Sequence, residues 1–167
     1  MIEVRVDDAA FFRGTAVARP VTAGMSATTA LTRRLELAAG ADLAAQLRAQ
    51  GSLPVGSAVV TGAGGLASEM LISAVVASEQ ESVSASSVRR ATLSALQRAA
   101  DWQMDHVGFV PFGLGAGNLD IDESAHAMVE AIHAHQARAR FPASITILVE
   151  SPAEADEFRG RLAGAAT

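Results

Sequence analysis

The run Met70–Val76, MLISAVV, is apolar at every position but Ser73. It has neither the alternation of a half-wet strand nor the length of a buried helix. A short continuous apolar segment of this kind reads as a strand covered on both faces. Such a strand needs layers above and below it, so the rest of the chain must supply helices to both sides of a sheet. The flanking segments fit that demand. Ile2–Val6 alternates apolar and polar and reads as a half-buried strand. Gly14–Val21 reads as a second strand, closed by Pro20. Gly56–Thr61 is a third, Val107–Pro111 a fifth and Ile145–Val149 a sixth.

Helical patterns fall between them. Thr28–Gln50 carries Leu31, Leu35, Leu43 and Leu47 on one face, and Gly40 divides it in two. Arg33 and Arg34 on this stretch read as a solvated face. Ala77–Ser87, rich in Ser and Glu, reads as an exposed connection. Val88–Gln103 has an apolar stripe through Ala91, Leu96 and Trp102. Ile121–Arg138 opens on Asp120 with Glu123 three residues on, a capping-box pair. Ser151-Pro152-Ala153-Glu154 gives an N-cap, a proline at the first helical position and a carboxylate at the third, so a last helix runs to about Leu162. The 167 residues therefore predict a single α/β domain over 1–167, a three-layer α/β/α sandwich with a mixed central sheet.

Composition removes several function classes. All 13 basic residues are arginine, and the net charge is −5. With no basic cluster, bulk nucleic-acid binding is not expected. The absence of cysteine excludes disulfides, thiolate metal sites and thiol nucleophiles. No apolar run approaches the ~20 residues that span a membrane. The acidic N-terminal residues Glu3, Asp7 and Asp8, with no apolar core behind a basic start, predict a soluble, cytoplasmic protein. No metal and no cofactor is expected. His106, His126, His133 and His135 lack the converging pattern of a metal site and read as surface residues. G-x-S-x-G is absent, and no lysine exists to complete a Walker loop. A dinucleotide fingerprint does not fit either, because Gly113-x-Gly115-x-Gly117 lacks its third spacing.

The stretch Val107–Asp122, VGFVPFGLGAGNLDID, remains. A strand feeds a loop with glycine at 113, 115 and 117, then a helix start. Glycines let backbone amides approach an anion, and the helix start adds partial positive charge. The same glycines also suit a turn that simply needs positive φ. Both readings fit the loop alone.

Several blocks, in order, resemble the macro domain family. Leu53–Leu66, LPVGSAVVTGAGGL, is similar to the family's P-x-G-x-A-x-x-T-x-G-x-x-L strand and turn. Met70–Val76 falls on its hxIHAV strand, with Ser73 in place of the histidine. Val88–Ala91 and Ala95–Ala100 resemble its L-R-x-A…A-L-x-x-A helix. Val107–Leu119 resembles its strand and diphosphate loop, often P-x-x-G-T-G-A-G-G. The likeness covers about Ile2 to Ile147 and implies a macro fold that binds ADP-ribose or a related nucleotide. It places the diphosphate on Gly113, Leu114, Gly115, Ala116, Gly117 and Asn118. It places the adenine amino group on Asp8, whose carboxylate can accept a charge-assisted bond, although an acid there also ends a strand.

The likeness has gaps. Family hydrolases carry N-A-A-N after the second strand, where this chain has Ala18-Arg19-Pro20-Val21-Thr22. The family's G-G-G-V loop falls within Ala23–Leu31, which holds Gly24 alone as glycine. Ser26, Thr28 and Thr29 offer hydroxyls instead. Arg19 is a candidate for reaching a phosphate, or for an ordinary ion pair, and Thr22 stands beside it at the strand end. The resemblance thus implies a binding module for ADP-ribose or an ADP-ribosylated protein, without hydrolysis. An ADP-ribosyl hydrolase and a scaffold that acts through protein contacts are the alternatives. The sequence leaves the oligomeric state open.

Overall fold

The computed structural model describes residues 1–165. Among them, six strands form one sheet: β1 Ile2–Val6, β2 Ala16–Thr22, β3 Ala58–Gly62, β4 Met70–Ala77, β5 His106–Phe109 and β6 Ser144–Val149. Their spatial order is β1-β6-β5-β2-β4-β3. β3 runs antiparallel to β4, and every other neighbouring pair is parallel. The mixed sheet and three layers are those expected. β4 is buried from Leu71 to Val76, because it lies between β2 and β3 and helices cover it on both sides.

The helices are α1 Ala30–Ala39, α2 Ala41–Ala49, α3 Ala85–Asp101, α4 Ile121–Gln136 and α5 Pro152–Ala165. α3, α4 and α5 share one face of the sheet. There Ala16, Ala18, Ile72, Val107, Phe109, Ile145 and Ile147 meet Val88, Leu96, Met128, Ile132 and Phe158. On the other face Val17, Leu71 and Leu148 pack under Leu35 and Ala39 of α1. Alternate residues of each strand thus feed different layers. No helix among the described residues is long and apolar enough to cross a membrane.

Local chemistry sets the ends of these elements. Gly40, at φ 114°, separates α1 from α2. Asp120 accepts from the Glu123 amide while Glu123 accepts from the Asp120 amide. Ser84 and Ser87 make the same reciprocal pair, so α3 starts three residues before the apolar stripe suggests. The Ala77–Ser87 connection is correspondingly shorter than expected. Ser151 accepts from the Glu154 amide at 3.2 Å, and α5 continues to Ala165.

One expectation at this level changes. Pro20 does not close β2, which continues to Thr22. Ala18 turns its carbonyl to the Val110 amide beyond β5, so Pro20, two residues on, presents its missing N–H to the same side. The β2–β5 pairing has ended at Ala18 and Phe109, and no ladder bond is lost. The glycine-rich turn Gly62–Gly65, inside the Leu53–Leu66 block, serves the end of α1. The Gly65 amide donates to the Ala39 carbonyl at 2.9 Å. A Cβ on Gly64 would lie 2.1 Å from that carbonyl oxygen, at a φ of +59°. Gly64→Ala should therefore cost at least about 2 kcal/mol, read as a lowered midpoint in urea unfolding with an unchanged slope.

Candidate functional site

β2 is followed by α1 on one face of the sheet, and β5 by α4 on the other. The two strands are neighbours, so their outgoing loops diverge and leave a crevice at the carboxyl edge. That is the topological switch point, where open α/β sheets hold ligands. Asp8 after β1 and Glu150 after β6 continue the same edge.

The Gly113–Asn118 loop forms one wall. Gly113, Gly115 and Gly117 have φ of 86°, 132° and 79°, so all three take conformations that side chains rarely adopt. The Asn118 amide donates to Gly115 O and the Leu119 amide to Gly113 O, each at 3.0 Å. These bonds fold the loop over and leave Gly115–Asn118 exposed. The amides of Ala116 and Gly117 have no partner among the described residues. The positive φ values are thus those of a turn. The turn is what presents the free amides.

The opposite wall is the start of α1. Thr29 is its N-cap and accepts from the Thr32 amide. The Thr32 hydroxyl accepts from the Thr28 and Thr29 amides. The first amides of the helix, on Ala30 and Leu31, have no partner among the described residues and carry the positive end of the helix dipole. A Cβ on Gly115 would lie 3.5 Å from Thr28 O and 3.7 Å from Thr29 Cγ2, so the two walls touch here. The Thr28 hydroxyl oxygen is buried with no hydrogen-bond partner among the described residues.

The Thr22 side chain is partly engaged within its own loop. Its Oγ1 accepts from the Ser26 amide at 3.2 Å, and its backbone amide donates to Ser26 O. These bonds close the loop that turns at Met25. Met25 has φ 67° and is almost wholly buried, packed with Val21, Leu47 and Val75. The left-handed position falls on a methionine rather than on Gly24, and apolar burial offsets the strain.

Asp8 caps a short 3-10 turn, Ala9–Phe11, with Oδ1 accepting from the Ala10 amide at 2.9 Å. The cap thus uses one oxygen of Asp8 and leaves the other without a partner among the described residues. Asp8 lines a cavity of ≈ 460 Å³ with Leu31, Arg34, Glu150 and Phe11. Arg34 and Glu150 pair at 2.9 Å, both half-exposed, which adds little stability. Phe11 is 72% exposed because Phe12 takes the core position beside it. The sequence reading missed Phe11, and its signal was that two adjacent phenylalanines cannot both turn inward.

Arg19 lies away from this crevice. Its side chain is 1% exposed and bonds Glu36 Oε1 and Ser73 Oγ, each at 3.0 Å. Glu36 in turn pairs with Arg48 at 3.0 Å. Burial pushes the Arg19 guanidinium below its usual value, while the bond to Glu36 and its charge oppose that shift. Arg19 thus reaches a carboxylate of its own chain. The surface reading of the histidines fails for His135, which is buried with Nε2 2.8 Å from Phe141 O. Among the described residues no group of histidine and acidic side chains could hold a metal. Glu36→Gln should destabilise the fold by about 3 kcal/mol, because it leaves a buried cation without a counter-charge. The double variant Arg19→Met/Glu36→Leu should recover most of that loss in the same denaturant titration.

The profile of the Macro domain family matches residues 20–128. No curated protein matches this sequence. The macrodomain of Oceanobacillus iheyensis, solved with ADP, superposes with a TM-score of 0.86 at 15% identity, covering 99% of this chain and 91% of that one. The macro domain of ganglioside induced differentiation associated protein 2 gives 0.84 at 18%, covering 96% and 82%. The Trypanosoma brucei macrodomain in complex with ADP-ribose gives 0.83 at 11%, covering 95% and 68%. With a sheet, a switch-point crevice and a sequence profile that agree, this chain belongs to the macro domain family.

Proposed function

We propose that this chain binds ADP-ribose, free or attached to protein, at the carboxyl edge of the sheet and does not hydrolyse it. The observation that carries the reading is the pair of amide-bearing walls, Gly113–Asn118 against the start of α1. The diphosphate lies between them. Backbone donors and the helix dipole do the work that lysine does elsewhere, and the unpartnered Thr28 hydroxyl adds a further donor. Asp8 accepts from the adenine amino group through its free oxygen. Phe11 offers a ring for the base to stack on. Macrodomains similar in fold have been solved with ADP and with ADP-ribose, which supports this class of ligand.

Binding without hydrolysis rests on the end of β2. Where family hydrolases place two asparagines, this strand has Ala18-Arg19-Pro20-Val21-Thr22. Arg19 is committed to Glu36 and Ser73, and the Thr22 hydroxyl to Ser26. Arg19 is therefore not available to orient a water or a distal ribose hydroxyl, and one hydroxyl at Thr22 does not replace the two asparagine amides.

Calorimetric titration with ADP-ribose should give a saturable heat, and no heat at millimolar ligand would sink the proposal. Gly115→Val places a branched side chain at a φ of +132° beside Asn118 Nδ2 and should weaken binding at least tenfold while the chain stays folded. Asp8→Asn keeps the cap to Ala10 but loses the charge, so affinity should fall by about 1.4 kcal/mol, or tenfold. Turnover of mono-ADP-ribosylated protein by the unmodified chain would refute the non-hydrolytic part.

A further inference from the structure

The order of the strands gives the ligand a direction, and that direction ends in an unassigned chamber. Along the carboxyl edge the sheet reads β1, β6, β5, β2, β4. The Asp8 cavity stands over β1 and β6, and the glycine loop follows β5. An ADP-ribose with its base at Asp8 and its diphosphate at Gly115 sends its distal ribose towards the ends of β2 and β4. Beyond that point lies a cavity of ≈ 1210 Å³, against ≈ 460 Å³ on the base side. Its lining includes Thr22, Ser26, Ser52, Glu79, Gln80 and Glu81.

The chamber shares structure with both walls of the crevice. Thr22 and Ser26 belong to the loop that leads into Thr28 and Thr29. Two residues beyond Glu81, Val83 packs against Gly113, where an added Cβ would be 3.2 Å from Val83 Cγ1. A ribose alone does not fill such a volume. The walls carry two carboxylates and no cationic side chain. Glu81 is neutralised by Arg90, which also donates to Val55 O. Glu79 has no partner among the described residues. The chamber is therefore open and negative.

We infer that the natural ligand is ADP-ribose still joined through its distal ribose to a cationic residue, with that residue seated beside Glu79 in the chamber between the Thr22–Ser26 and Ser78–Glu81 loops. This rests on the ADP-ribose reading above and adds the attached group and its charge. A guanidinium keeps its positive charge when it is joined to the ribose and is attracted by Glu79, whereas a carboxylate joined as an ester or a serine joined through its hydroxyl is neutral and gains no such attraction.

The test uses three probes in calorimetric titrations: free ADP-ribose, a peptide ADP-ribosylated on an arginine guanidinium, and a peptide of the same length and neutral flanks ADP-ribosylated on a serine hydroxyl. The arginine-linked peptide should bind about fivefold more tightly than the serine-linked one. In Glu79→Arg that ratio should fall to one or below. If free ADP-ribose binds but both peptides bind more than tenfold more weakly, the chamber does not receive the attached residue. The inference then fails while the ADP-ribose reading stands. Equal affinity for the two peptides, unmoved by Glu79→Arg, overturns the charge preference. Failure of all three probes to bind overturns both proposals.

Discussion

The parting of β2 and β5 after Ala18 and Phe109 governs the rest of the molecule. Up to that point the strands are paired and their side chains are core. Past it their chains leave for opposite faces, one into α1 and the other into α4. Two backbone walls then meet where Gly115 approaches Thr28 and Thr29, each with amides that the fold itself does not use. Desolvated amides without partners are costly. These stay tolerable because Gly115–Asn118 remain open to water and because an anion can replace that water. The crevice is therefore a direct consequence of where pairing stops.

The Arg19–Glu36–Arg48 chain of charges plays a different part. It ties β2 to α1 and α2 from inside. Arg19 stands opposite Ser73 in the β2–β4 register, and the small serine leaves room for the guanidinium beside it. The Arg19 Nε donates to the Ser73 hydroxyl, and the charge is satisfied inward by Glu36. Removing both charges costs far less than removing one, so the triad fixes an arrangement more than it adds stability.

Much of this was legible from sequence because it rests on local chemistry. The doubly apolar β4, the break at Gly40, the Asp120–Glu123 box and the three-glycine loop each announce themselves within a few residues. The rest depended on neighbours distant in sequence. Pro20 is tolerated mid-strand only because β5 turns away. Gly64 and Gly65 belong to the end of α1, more than twenty residues earlier. Met25 holds a left-handed conformation because Val21, Leu47 and Val75 receive its side chain. Arg19 looked like a ligand group because its partner, Glu36, lies on a different element. His135 looked exposed because its acceptor is a carbonyl beyond the helix end.

A crevice built from main-chain amides has a further consequence. The side chains of Leu114 and Ala116 contribute no donor to it, and Ala116 points to solvent. What must be kept is the path of the chain, held by glycine torsions and two backbone hydrogen bonds. Residue identity on the rim is then uncoupled from the placing of the amides. The same loop can carry a changing outer surface, and with it a changing set of protein neighbours, while the backbone of its inner surface keeps one arrangement. That separation is compatible with a shared backbone at 11–18% identity.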